Sequence, residues 1–150
     1  MNIVKCRDVK TPIRSTDKSG GIDFFIPNDM EWEYMTLQPG TAVNIPSGIK
    51  CNVPPGFALI AFNKSGVALN KQLDALACVV DEDYVNEIHL NVINVGNDNQ
   101  IIKRGEKLLQ FLLIPIKYEN VVVCETDDQC FGFKIKETTR TGGFGSTGLT

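Results

Sequence analysis

Glu87-Ile-His-Leu-Asn-Val92 alternates strictly, with Ile88, Leu90 and Val92 on one side and Glu87, His89 and Asn91 on the other. A period of two marks a strand that buries one face and wets the other. Working outward, Pro27, Pro39-Gly40, Pro46-Ser-Gly48, Pro54-Pro-Gly56, Gly66, Gly96-Asn-Asp98 and Gly105 cut the chain into runs too short for ordinary helices. Thr41 to Ile45, Ile49 to Val53, Phe57 to Phe62, Leu76 to Val80 and Val121 to Cys124 are rich in residues that sit well in sheets. Leu108 to Ile116 is an apolar run broken by Gln110, and Pro115 argues against a helix, so a buried strand is expected. Val95 to Ile102 reads as a hairpin around a Gly/Asn/Asp turn, and Ser65 to Gln72 as the one short helical turn. The pattern predicts an all-β domain of many short strands, a closed barrel or jelly roll.

At 150 residues and 43% hydrophobic content, the chain suits a single domain. A net charge of −3 and a pI near 5.1 offer nucleic-acid polymers no general attraction, so any phosphate must be held by a few placed groups. Cys6, Cys51, Cys78, Cys124 and Cys130 are odd in number, scattered and free of any C-x-x-C pair. That pattern suits free thiols in a reducing compartment, and a cytoplasmic location is expected. The start has no long apolar segment, and no run approaches the roughly 20 residues of a membrane helix, so neither secretion nor membrane insertion is expected.

Val79-Val-Asp-Glu-Asp-Tyr84 sets three carboxylates after a buried β run. Such a carboxylate can take a proton from water, the group could favour Mg²⁺, or the stretch could be a plain acidic turn. Gln110 sits within an apolar strand, where its amide must find a hydrogen bond, either near a ligand or in the core. Asn63-Lys-Ser-Gly66 puts a cation, a hydroxyl and a glycine where a strand gives way to a helical turn, a natural place for phosphate. His89, the only histidine, reads as structural, and with no cysteine cluster beside it a zinc site lacks ligands. The tail Arg140-Thr-Gly-Gly-Phe-Gly-Ser-Thr-Gly-Leu-Thr150 cannot build a core. It reads either as a loose terminus or as a segment folding over a nucleotide, glycine N–H groups on phosphate and Phe144 on a base.

Taken in order, these segments resemble the homotrimeric dUTP diphosphatases (dUTPases). Gly21-Ile-Asp23, Lys64-Ser-Gly66, Val80-Asp-Glu-Asp-Tyr84, Gly105-Glu-Lys-Leu-Leu-Gln110 and Gly142-Gly-Phe-Gly-Ser-Thr-Gly148 correspond to that family's five motifs, and the resemblance runs from about Ser19 to Thr150. It implies a single domain over 1–150: a jelly-roll-like β barrel over 1–139 and a flexible glycine-rich arm over 140–150. It also implies Mg²⁺-dependent hydrolysis of dUTP to dUMP and pyrophosphate, which limits uracil in DNA and supplies dUMP for dTMP synthesis. By the same resemblance Asp81 is the base that activates water for in-line attack on the α-phosphorus. Lys64, Ser65 and Gly66 hold phosphates, and Tyr84 packs on the deoxyribose. Uracil enters a slot formed by Ala75 to Val80, including Cys78, and the returning strand near His89. Asp23 and Gln110 stand behind the Mg²⁺ through water, while Phe144 stacks on uracil and Arg140, Gly145, Ser146 and Thr147 grip the outer phosphates. Each site draws on three copies of the chain.

The chain departs from the family pattern in carrying Lys64 where Arg is usual, a point charge in place of a planar fork. Cys78 and Asn86 replace glycines, and Arg140-Thr141 stands one residue short of the usual Arg-Gly spacing. A dCTP deaminase on the same fold remains the alternative, although such enzymes carry an Arg-Ser-Ser segment and a catalytic Glu at the places of Lys64-Ser-Gly66 and Asp81. Nothing in the sequence excludes a second role in which nucleotide occupancy controls a protein partner.

Overall fold

The computed structural model describes residues 1–132 and Thr139, and the chain divides into two compact units, Met1–Lys117 and Tyr118–Thr150. The first unit holds eleven strands and one helix in chain order: β1 (Asn2–Lys5), β2 (Ile22–Phe25), β3 (Tyr34–Leu37), β4 (Ala42–Pro46), β5 (Ile49–Asn52), β6 (Phe57–Asn63), α1 (Ser65–Lys71), β7 (Leu73–Ala75), β8 (Val79–Val80), β9 (His89–Asn94), β10 (Gln100–Lys103) and β11 (Lys107–Pro115). The second contains the single-turn helix α2 (Asp127–Phe131). The protein is therefore strand-rich and all-β in class.

Strands pair antiparallel as β2-β11-β6-β8, β4-β9-β7, β1-β5 and β10-β3. β11 is the spine. Leu108 and Leu109 are consecutive yet each only 1% exposed, because the pairing with β2 slips between Lys107 and Leu109. A bulge of this kind turns two neighbouring side chains toward the same interior, which accounts for the unbroken apolar run. Phe111 packs on Phe24 across the same pair, ring centroids 4.5 Å apart and tilted by 45°. On β9 the alternation holds: Leu90, Val92 and Asn94 face the core.

Three segments differ from expectation. Leu76 to Val80 is not one strand: β7 ends at Ala75 on β9, and β8 begins at Val79 on β6, so the chain changes sheets between them. Val95 to Ile102 is no hairpin, since β10 pairs with β3 rather than with β9. Asn94 directs that departure. Fully buried, its amide donates to Leu37 O (2.9 Å) and Asp98 O (2.8 Å) and accepts from Gly96 N (2.9 Å), tying the turn across two sheets. Val121 to Cys124 lies outside any strand, with Val121 and Val123 at 96% and 90% exposure. A helical turn falls where expected, over Ser65–Lys71, but it is not the one such turn of the chain: α2 forms a second over Asp127–Phe131, with Thr126 Oγ1 capping its first turn.

Candidate active site

Two polar groups lie near β6, one at its C-terminal end and one beside its middle. At its C-terminal end, Asp23 of β2 is 2% exposed and sits across from Gln110 in register. One carboxylate oxygen accepts from the Lys64 ammonium, the other from Ser15 Oγ (3.0 Å) and Lys107 Nζ (2.9 Å). Burial pushes this carboxyl up, but the hydrogen bonds from Lys64, Lys107 and Ser15 outweigh it and hold the group below the usual carboxylate range. One anion between two cations leaves a surplus positive charge. Gln110 Nε2 donates to Asn63 O at 2.8 Å. A Cβ at Gly21 would stand 2.1 Å from Gln110 Oε1, so only glycine admits this amide. Lys64 precedes α1 with an extended backbone and no side-chain cap. Ser65 and Gly66 open the helix in exposed positions, and a Cβ at Gly66 would meet nothing within 4 Å. The first turn thus offers uncapped N–H groups with room above them.

The second group lies where β7 and β8 part. Their divergence opens a cavity of about 240 Å³ whose lining includes Cys78, Val80, Tyr84, Ile88, His89 and Asn91. Tyr84 Oη donates to Glu87 O at 2.9 Å, and His89 Nδ1 lies 3.0 Å from the same carbonyl. Glu87 is itself fixed, accepting from Gly48 N (2.7 Å) and Arg7 Nε (2.8 Å). Burial pushes the Glu87 carboxyl up, yet Arg7 and the Gly48 N–H hold it below its ordinary value. Asp81 follows β8, exposed, in a turn closed by Tyr84 N on Asp81 O at 3.2 Å. Ala75 is not part of the cavity wall; its N–H donates to Asn63 Oδ1 at 2.8 Å, and Ala77 takes the lining place. Cys78 and Asn86 need no glycine-like backbone, because Gln72 is the only non-glycine residue with positive φ among those described.

Lys64, Ser65, Gly66, Asp23 and Gln110 therefore come together, as do Cys78, Val80, Tyr84 and His89. Asp81 does not join the first set. Val80 pairs with Leu59 while Ser65 lies beyond Asn63, so about 13 Å of β6, at about 3.3 Å per residue, runs between the two places. Arg140, Phe144, Gly145, Ser146 and Thr147 lie outside the described residues. Sequence reading missed Lys107, Ser15, Arg7 and Glu87. For Lys107 the signal was its place beside Gln110; for Glu87 it was a carboxylate heading the alternating strand.

The model of the family described as dUTPase matches residues 7–148. The chain belongs to the dUTPase family. A deoxyuridine 5'-triphosphate nucleotidohydrolase of Maricaulis maris is 35% identical over 145 residues, covering 91% of this chain and 86% of that one. The enzyme of the same name from Thermoanaerobacter sp. is 33% identical over 146 residues, covering 95% and 91%. Among solved structures, a point mutant of the Staphylococcus bacteriophage 80alpha dUTPase with dUpNHpp shares the fold at a TM-score of 0.80 and 17% identity, covering 99% of this chain and 98% of that chain. A mutant dUTPase from phage phi11 of S. aureus, described for the coordination of a structural Mg(II) ion, matches at 0.74 and 18%, covering 85% and 97%. The reaction of this dUTPase is the Mg²⁺-dependent hydrolysis of dUTP to dUMP and pyrophosphate.

The residues fit a metal held at second hand. No group of three or more His, Cys, Asp or Glu side chains is arranged to hold an ion among the described residues. Asp23 is nonetheless held below the usual carboxylate range, and its oxygens are engaged by Ser15 and by two partly exposed lysines, Lys64 and Lys107. A hard oxygen acceptor of this kind suits the hydration shell of Mg²⁺, which keeps several waters and takes the rest of its ligands from substrate phosphates. No helix among the described residues is long and apolar enough to cross a membrane.

Proposed function

We propose that Asp81 removes the proton from a water molecule that attacks the α-phosphorus of dUTP in line, expelling pyrophosphate. Ser65 and the first N–H groups of α1 hold the α and β phosphates, and Lys64 turns from Asp23 to the arriving anion while Lys107 keeps that carboxylate paired. Mg²⁺, when bound, neutralises triphosphate charge, with Asp23 and Gln110 behind it through water. Tyr84 lies along the deoxyribose and leaves no room for a 2′-hydroxyl. The base enters the cavity between β7, β8 and β9, where backbone groups near Cys78 and His89 meet the uracil edge and a 5-methyl group would clash. The arm over 140–150 closes the site, Phe144 over the base and Arg140, Gly145, Ser146 and Thr147 on the outer phosphates.

One observation carries this reading: Asp81 follows β8, which pairs with Leu59 and Ile60 in the middle of β6, while the cluster of Lys64, Asp23 and Gln110 lies at the C-terminal end of that strand. We infer a homotrimer in which neighbouring copies complete each site, as the resemblance to the homotrimeric dUTPases implies. The motif order supports one dUTPase-like domain over 1–150, a jelly-roll-like barrel over 1–139 with its closing arm, working in the cytoplasm. Pyrophosphate release from dUTP, dTTP, dCTP and UTP tests it. Turnover of dUTP far above the other three is expected; equal turnover of all four, or of none, defeats it.

A further inference from the structure

Asn91 lies on β9 between His89 and Ile93, on the face opposite Leu90 and Val92. It shares the wall of the cavity with His89 and with Asn44, its partner in register on β4. Its main-chain carbonyl accepts from Leu76 N at 3.1 Å, where the chain leaves β9 to cross to β8. The Oδ1 of Asn91 is buried, and no group among the described residues donates a hydrogen bond to it. Its neighbours in the wall are engaged, since Tyr84 Oη and His89 Nδ1 both meet Glu87 O. An amide oxygen only accepts, and burying one unpaired is unfavourable, so a leucine of similar size would suit the fold better. A buried acceptor kept in the wall of a binding cavity calls for a ligand that brings the donor. We propose that Asn91 is a specificity-determining residue whose Oδ1 accepts a hydrogen bond from N3–H of the uracil ring.

This role rests on the reading that the cavity takes the base. With N1 joined to the sugar, N3–H is the one N–H donor that uracil has left, set between two carbonyl acceptors. Cytosine carries a lone pair at N3 instead, which would face Oδ1 acceptor to acceptor and leave both unpaired. Thymine keeps the same N3–H, so Asn91 separates uracil and thymine from cytosine and leaves the 5-methyl group to the rest of the wall. No proton changes hands. The contact strengthens binding of the base and leaves the attack at phosphorus to other groups, so it acts on KM more than on kcat.

Asn91→Leu keeps the side-chain size and removes the acceptor, and Asn91→Ala removes it without crowding the cavity. Steady-state kinetics of the whole protein are measured with dUTP and, at high enzyme concentration, with dCTP. In both variants kcat/KM for dUTP is expected to fall about tenfold, mainly through KM, while that for dCTP changes less than about twofold. The preference for dUTP then falls about tenfold, a ratio that loss of active protein cannot move. Equal losses on the two substrates, or an unchanged KM for dUTP, overturn the proposal. Cys78→Trp, which sets an indole in the cavity wall, tests the underlying reading by itself. If it leaves the KM for dUTP unchanged, the base lies elsewhere and the reading of the cavity fails. If it raises that KM while the Asn91 variants keep the original preference, the cavity stands and the role of Asn91 falls.

Discussion

Asp23 is a carboxylate that burial alone would neutralise, held charged because Lys64, Lys107 and Ser15 meet its oxygens. Its folded pKa lies below the unfolded one, so the stability it contributes is complete above the ordinary carboxylate pKa and is lost as pH falls through the depressed folded value. Both lysines are partly exposed, and solvent screening lowers the worth of the cluster. Asp23→Asn is expected to cost about 1–3 kcal/mol at neutral pH and to flatten the loss of stability below about pH 4, checked by urea unfolding at neutral and acid pH. Asp81 is the opposite case, an exposed carboxylate with no structural duty evident in its surroundings. Asp81→Asn is expected to leave dUTP binding and fold intact while lowering kcat by about three or more orders of magnitude; near-normal single-turnover rates would reassign the base. Both residues stood out in the sequence. The lysine pairing of Asp23 did not, because residues 23, 64 and 107 meet only through strand register.

At the scale of elements, the decisive features are a close approach and a parting of strands. β2 and β11 bring Gly21 against the Gln110 amide, and that contact positions the side chain whose Nε2 is held by the end of β6. Gly21→Ala is expected to displace Gln110, cost about 1–3 kcal/mol and lower kcat; calorimetry and steady-state kinetics on the variant read the two effects separately. The parting of β7 from β8 makes the cavity. The apolar composition of Leu76 to Val80 hid it, because a run of sheet-forming residues looks the same whether it stays in one sheet or crosses between two. The supposed hairpin over Val95 to Ile102 misled for a related reason: turn residues mark where the chain bends, and the buried Asn94 amide, bonding to Leu37 and Asp98, decides where it goes next.

For the whole molecule, the homotrimer that the resemblance to the homotrimeric dUTPases implies makes assembly part of the proposed mechanism. Removal of residues 142–150 is expected to abolish most turnover of dUTP while leaving the proposed trimer and its β-sheet signal unchanged, measured by sedimentation and circular dichroism; dissociation or loss of sheet would give the arm a structural role instead. The local pattern of the chain was enough to determine an all-β class, the place of α1, the half-buried strand β9, the buried strand β11, and the five family motifs, since period, turn residues and motif order are properties of neighbouring residues. Only tertiary structure decided which strands pair, how Lys64 and Lys107 share Asp23, why Gly21 must be glycine, and where the cavity between β7 and β8 opens. Those depend on groups far apart in sequence whose meeting is set by register and by the requirement that buried polar atoms be paired, a condition no short window of residues can express.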